Sequence, residues 1–239
     1  TKMHGLGNDF MVLDQTSTKT DLSAEKIRQL SDRRTGIGFD QLLQIEQASS
    51  SDVDFDYRIF NADGEEVEHC GNGARCFAKY VHDKGLSSKN PLRVKTVNRV
   101  LILHADKDSE VIVNMGIPEF ELNSIPFIAK TNSESYAENT GYIHSRNLEI
   151  CGISKTFEFI PLSMGNPHAV ICVEDLANTA VKDIGEAVGS HPDFPLGVNV
   201  GFMQISSRNE ISLRVYERGA GETQACGTGA CEAVVAGCL

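Results

Sequence analysis

The string EHCGNGARC at Glu68–Cys76 returns in altered form as QACGTGACE at Gln224–Glu232. Both copies carry Cys-Gly-x-Gly-Ala, and the polar residues around them keep step. Gly7-Asn8 and Gly165-Asn166 each lead into an apolar run. Asn8 to Gln41 spans 33 residues, and so does Asn166 to Asn199; Asn61 to Cys70 spans nine, and so does Glu217 to Cys226. Similarity held in register over such distances implies two related lobes. The 239 residues suffice for two of ordinary size. The expected fold class is α+β, with a lobe at 1–117 and a second at 118–239, the boundary lying in the proline-bearing IPEFELNSIPFIA (117–129). Pseudo-symmetry of this kind is expected to bring equivalent loops to a shared cleft.

The order of elements repeats as well. In the first half, FMVLDQ (10–15) is a strand, and 23–36 is a helix with Ser23 as N-cap and Gly36 as its end. Strands follow at 39–47 and 53–61, an Asp-Gly turn, and a helix at 71–85 closed by Gly85. Residues 91–106 and 109–116 read as a hairpin of strands. In the second half, 157–175 contains a strand after the Gly-Asn turn. A helix is expected at 181–192, strands at 197–206 and 210–219, and a turn and helix at 221–237.

Charge and composition narrow the function classes. A net charge of −11, with no basic run, argues against nucleic acid and anionic membranes as partners. No apolar run approaches the ~20 residues of a membrane span, and the N-terminus lacks a signal-peptide core, so a cytoplasmic location is expected. The seven cysteines are odd in number and irregular in spacing, unlike a disulfide framework. Cys151, Cys172, Cys231 and Cys238 are read as buried small hydrophobes. The first Met is residue 3, and GACEAVVAGCL reads as a helix stopping in mid-pattern, so the sequence is expected to be a trimmed piece of a longer chain.

Each Cys-Gly-x-Gly-Ala sits where a turn becomes a helix. N–H groups at a helix N-terminus favour an anion, and a cysteine there can be acidified to a pKa of roughly 3.5–7.5. The same N–H groups can hold a carboxylate, and the glycines allow close approach. The plain alternative is a buried cysteine beside a packing glycine, but duplication in register with the polar residues favours the chemical reading. A metal reading of Cys70, Cys76 and His82, each six apart, fits poorly, because six-residue steps rotate side chains away from one point. CGNGAR and CGTGAC lack the Gly-Lys-Ser/Thr ending of a phosphate loop, and GLGNDF lacks the third glycine of a dinucleotide fingerprint. Asn8, Gln41, Asn61, Asn166 and Asn199 lie at turns or strand ends. One such residue is turn chemistry; five at repeating offsets suggest a cage of amides around a zwitterion. Glu217 can take an ammonium, Arg218 can grip a carboxylate with two parallel bonds, and His168 can tune a nearby thiol or satisfy a turn.

KMHGLGNDF, NADGEEVEHCGNGARC, SMGNPH and YERGAGETQACGTGA together resemble the signatures of diaminopimelate epimerase, in family order from Lys2 to Gly237. The resemblance implies two pseudo-symmetric lobes, each a sheet wrapped around a central helix, with the active site in the cleft between them. It implies a cofactor-independent, metal-free enzyme, a homodimer, that interconverts LL- and meso-diaminopimelate for lysine and peptidoglycan synthesis. On this resemblance Cys70 and Cys226 are the catalytic acid and base. Asn8, Gln41, Asn61, Asn166, Asn199, Glu217 and Arg218 line the substrate site. Gly71-Asn72 and Gly227-Thr228 supply backbone donors to the reacting carboxylate, while His168 and Glu217 influence the cysteine pKa values. The family pattern runs on past Leu239 with strands expected to be missing here, and 131–155 matches none of its motifs. A proline or hydroxyproline racemase on the same scaffold is an alternative, with Glu217-Arg218 and the Asn set counting against it. So is an amino-acid-binding protein with redox-active cysteines.

Overall fold

The computed structural model describes residues 1–68, 70–106, 110–128, 134–136, 142–150 and 153–239. The chain divides into two compact units, Thr1–Gly116 and Ile117–Leu239. Among the described residues no helix is long and apolar enough to cross a membrane.

The first unit contains β1 (Lys2–Gly5), β2 (Asn8–Asp14), α1 (Ala24–Ser31), β3 (Gln41–Gln47), β4 (Phe55–Asn61), β5 (Glu66–Val67), α2 (Gly71–Asp83), β6 (Leu92–Lys95), β7 (Val100–Ala105) and β8 (Val111–Asn114). The strands form one sheet in the order β1-β2-β3-β4-β6-β7-β8, with β5 also on β4. The period of two in β3 is what lets it serve both faces. Leu43 and Ile45 join the core around α2, while Leu42 joins Ile27 of α1, Phe39 and Phe60 on the other side. Helix α2 packs on β1, β2, β3, β7 and β8. Since β1 and β8 end the sheet, the sheet curves around this helix. The small residues Gly71, Gly73, Ala74 and Ala78 let it sit deep, and Phe77 is fully buried with its ring 4.7 Å from Tyr57 and 6.1 Å from Phe55. Burying that one ring contributes about 2–3 kcal/mol.

Helix α1 starts at the expected cap, Ser23, whose hydroxyl accepts from Lys26 N–H at 3.2 Å. It stops at Ser31, well short of Gly36. The Asp32 carboxylate captures the N–H groups of Arg34 (2.8 Å) and Thr35 (2.6 Å) and the Thr35 hydroxyl, a local closure that competes with helical continuation. The 91–116 stretch holds three strands, since Thr96–Arg99 makes a turn of its own. Strand β1, short and polar, carries no periodic signal.

The second unit contains β9 (Glu134–Tyr136), β10 (Tyr142–Ile150), β11 (Ile153–Ser163), β12 (Pro167–Cys172), α3 (Val181–Gly189), β13 (Asn199–Ser207), β14 (Glu210–Glu217), β15 (Gly221–Thr223) and α4 (Gly227–Gly237), its sheet running β15-β14-β13-β12-β11-β10-β9. Val200 and Phe202 of β13 pack with α3, and Met203 packs with α4. Both units are thus sheets with one helix on each face.

The repeat read in the sequence is a repeat of strand register. Phe10 pairs with Gln41 across parallel β2–β3, and His168 with Asn199 across parallel β12–β13, each partner lying two residues beyond Asn8 or Asn166. Gln41 pairs with Asn61, and Asn199 stands one step beyond the Val200–Tyr216 pair, level with Glu217. Gly7 (φ 86°) and Gly165 (φ 102°) make the equivalent turns in a conformation that favours glycine.

Cys172 and Cys238 are exposed and Cys231 is half-buried, against the expectation that they would be buried. Cys172 closes β12 with its side chain outward, and Cys238 is the C-cap of α4, where core coverage runs out. Cys151 lies outside the described residues. The six described cysteines are free thiols.

Candidate active site

Cys70 is the N-cap residue of α2 and Cys226 the N-cap residue of α4. Both have extended backbone (φ −140°, ψ 116° and φ −126°, ψ 117°), and both sulfurs accept the N–H three residues on, Gly73 at 3.4 Å and Gly229 at 3.5 Å. A side-chain acceptor at this position satisfies one of the amides with no acceptor inside the helix. The amides of Gly71 and Asn72, and those of Gly227 and Thr228, lead the two helices beside the sulfurs. The dipole at these ends favours negative charge. Gly73 has a steric reason: a Cβ there would sit 2.3 Å from Tyr57 Oη and 3.0 Å from Leu43 Cδ2. At Gly229 the nearest atom would be Val215 Cγ2 at 3.1 Å.

In the first unit, Asn8 Oδ1 faces Cys70 Sγ at 3.8 Å and Asn72 Nδ2 at 3.5 Å, and Asn8 Nδ2 donates to Asp40 Oδ2 at 3.1 Å. Arg75 donates to Asn72 Oδ1. Behind Asn8 lies a charged frame that sequence reasoning missed. Arg33 donates twice to Asp9, at 3.0 and 2.8 Å, and once to Asp40 at 2.6 Å, while Lys2 lies 3.0 Å from Asp9. Burial raises the Asp9 carboxyl, but the bonds from Arg33 and Lys2 outweigh it and hold the group well below the usual carboxylate range. The adjacency of Asp9 to Asn8 and of Asp40 to Gln41 was the available signal. Gln41 Nε2 donates to Asn61 Oδ1 at 2.9 Å, while Gln41 Oε1 is buried and has no hydrogen-bond partner among the described residues. The three residues of the metal reading diverge: Cys70 caps α2, Cys76 is buried with its thiol pushed up to about 11 by burial, and the His82 ring bonds to Lys89 O at 3.0 Å.

In the second unit, Cys226 Sγ is 3.2 Å from Thr228 Oγ1, which is 3.2 Å from His168 Nε2. The His168 ring is fully buried, with Nε2 3.2 Å from Asn199 Nδ2 and Nδ1 against Glu232 Oε2. Asn199 also donates to Pro167 O at 3.2 Å and accepts from Arg218 N–H at 2.8 Å. Thr223 Oγ1 bonds to Glu217 Oε1, and the Arg218 guanidinium donates to Leu196 O at 2.8 Å. Asn166 Oδ1 is buried without a hydrogen-bond partner among the described residues. Each unit therefore gathers the residues singled out in its own half: Asn8, Gln41, Asn61, Cys70, Gly71 and Asn72 in one; Asn166, His168, Asn199, Glu217, Arg218, Cys226, Gly227 and Thr228 in the other. Glu232, wholly buried, was not anticipated. Glu in a helix usually faces solvent, so nothing but its place one turn past Thr228 marked it.

A family model described as diaminopimelate epimerase matches residues 1–121 and 161–239. The chain belongs to the diaminopimelate epimerase family. The unmatched stretch, 122–160, includes the whole of the 131–155 segment that carries none of the motifs. Solved structures agree on the fold. A hydroxyproline epimerase from Agrobacterium vitis aligns with a TM-score of 0.64 at 16% identity, over 98% of this chain and 75% of its own. A probable proline racemase from Agrobacterium radiobacter gives 0.67 at 15%, over 98% and 76%. A phenazine biosynthesis protein of the PhzF family from Bacillus anthracis gives 0.59 at 15%, over 99% and 78%. This member of the diaminopimelate epimerase family thus has the family's two sheet-rich lobes.

Proposed function

We propose that the protein interconverts LL- and meso-2,6-diaminopimelate without a cofactor, one cysteine acting as thiolate base and the other as thiol acid, in the supply of lysine and peptidoglycan precursors. The observation that carries this reading is the equivalence of Cys70 and Cys226, each the N-cap of a helix whose leading amides stand beside the sulfur. The α-proton of an amino acid is very weakly acidic. Removing it without an electron sink requires donors aimed at the carboxylate where charge develops, each worth about 3–4 kcal/mol when pre-organised. Two helix N-termini provide such donors, and a thiolate near one of them is stabilised for proton removal. The buried acceptors Gln41 Oε1 and Asn166 Oδ1 suit an ammonium group. Glu217 and Arg218 add one acid and one base suited to the second amino-acid end of a symmetrical diacid.

The test is incubation of purified protein with LL-diaminopimelate, L-proline and trans-4-hydroxy-L-proline in parallel, with chiral separation of products. Meso-diaminopimelate alone is expected. Inversion of a proline with none of diaminopimelate would replace the substrate assignment, and no inversion of any of them, with tight amino-acid binding, would replace the enzyme by a binding protein.

A further inference from the structure

The proposed acid–base pair leaves one buried ionisable residue unexplained. Glu232 is fully buried on α4. Its Oε1 accepts from Met164 N–H at 3.0 Å, and its Oε2 lies against His168 Nδ1. The other ring nitrogen leads through Thr228 Oγ1 to Cys226 Sγ, in two steps of 3.2 Å. A carboxylate, an imidazole and a hydroxyl thus follow one another from the interior to the cysteine, the Glu232–His168 step being an ion-pair approach and not a hydrogen bond of ordinary geometry.

The orientation of this chain is fixed from its flank. Asn199 Oδ1 is occupied by Arg218 N–H at 2.8 Å, so its Nδ2 turns toward His168 Nε2. An amide nitrogen facing a ring nitrogen favours that nitrogen as acceptor. The ring proton then belongs on Nδ1, against Glu232, and the Nε2 lone pair lies within reach of both Asn199 N–H and Thr228 O–H, so that a proton taken up there displaces the Asn199 contact. We infer that Glu232 is a positioning residue that makes His168 the proton acceptor for Cys226, relayed by Thr228. The step balances: the Cys226 S–H proton passes to Thr228 Oγ1 as the Thr228 proton passes to His168 Nε2. Thiolate, imidazolium and carboxylate result, with no net change in charge. A base held by a third group is the arrangement that activates a weak nucleophile or acid elsewhere. Burial pushes the Glu232 carboxyl well above the usual range, an effect that Met164 N–H only partly offsets, so Glu232 stays a carboxylate only with the Nδ1 proton held against it.

Among the described residues, the side chains packed on α4 are mainly apolar. Leu162 of β11 and Val170 of β12 are apolar neighbours of α4, as are Met203 of β13 and, more loosely, Ile211 and Leu213 of β14. On β14, Glu217 bonds Thr223, Arg218 follows with its guanidinium on Leu196 O, and Arg214 is paired with Glu222 at 2.7 Å. On α4 itself, the Cys231 thiol is pushed up by burial and then by the Glu232 charge.

This inference rests on the acid–base reading of Cys226, but its test needs no substrate. The rate of iodoacetamide alkylation at Cys226 and at Cys70 is followed against pH by peptide mass spectrometry, in wild type, Glu232→Gln and Thr228→Val. The Cys226 midpoint is expected to rise by about one unit or more in both variants, the scale of losing a nearby opposite charge, with Cys70 unmoved. A folded Glu232→Gln protein whose Cys226 midpoint matches wild type overturns the inference, as does an equal shift at Cys70, which would mark general loosening. If Glu232→Gln fails to fold, nitrogen NMR of wild type labelled at histidine decides: a proton on His168 Nδ1 upholds the arrangement, and a neutral ring protonated on Nε2 with bare Nδ1 overturns it. A wild-type protein that shows the Cys226 behaviour but inverts no amino acid would retain the relay while losing the proposed reaction.

Discussion

Two substitutions at Cys70, to Ser and to Ala, separate what the residue does for the fold from what is proposed for its chemistry. Cys70 Sγ accepts Gly73 N–H at 3.4 Å, a long bond to a weak acceptor. Serine is among the preferred N-cap residues, worth about 1 kcal/mol over alanine. Its oxygen has the same backbone to work from, since Cys70 is already extended. The expected order of stability therefore puts Cys70→Ser at or above wild type and Cys70→Ala lowest, with about 1 kcal/mol between the two variants. For a chain of this length that is a difference of about 2–4 °C in Tm. Activity should follow a different order. A hydroxyl neither ionises in the working range nor matches the acidity of a thiol, so loss of one acid–base partner should lower kcat by about 100-fold or more in both variants. The assay pairs a thermal melt with epimerisation of LL-diaminopimelate. A Cys70→Ser protein less stable than Cys70→Ala would refute the capping argument. A Cys70→Ser protein within a few-fold of wild-type kcat would refute the assignment of the thiol.

Gly73→Ala should cost more than the usual gain of alanine in a helix, because its Cβ would meet Tyr57 Oη at 2.3 Å with Leu43 behind it. A loss of about 1–3 kcal/mol in denaturant unfolding is expected, and a stabilised protein would contradict the packing. His144 is buried with its pKa pushed down to about 4, by burial first and then by the Arg146 charge. The folded form prefers the neutral ring, so its contribution is fully present above the unfolded value of about 6.5 and is lost as pH falls from there toward about 4. His144→Gln should flatten the stability–pH curve in that window, and an unchanged slope would remove His144 as its source.

The two-lobe repeat was legible because it rests on short-range requirements that recur: a positive-φ glycine before each Asn, a fixed number of residues from strand to turn, and a capping cysteine at each helix start. Helix α2 was legible for its apolar spacing and closing glycine. The end of α1 was not, because Asp32 stops it through a side-chain bond that periodicity does not register. Most of the polar site residues carried a signal through their repeated offsets. Asp9, Arg33 and Asp40 did not, since they act by holding Asn8 in place. Glu232 was hidden for a related reason: its role depends on burial against His168, and a helical glutamate reads as surface until the opposite strand is known.

The measurement that bears most directly on the proposed chemistry is the fate of the α-hydrogen in deuterated water. LL-diaminopimelate is incubated with the enzyme and sampled early, and deuterium is located in product and in recovered substrate by mass spectrometry. Two cysteines working from opposite faces take one hydrogen and deliver another that has exchanged with solvent. Early meso product should carry deuterium at the inverted carbon while recovered LL substrate stays protiated. Product that retains its original hydrogen, or substrate that gains deuterium as fast as product forms, would mean one base acting alone and would contradict the paired roles of Cys70 and Cys226.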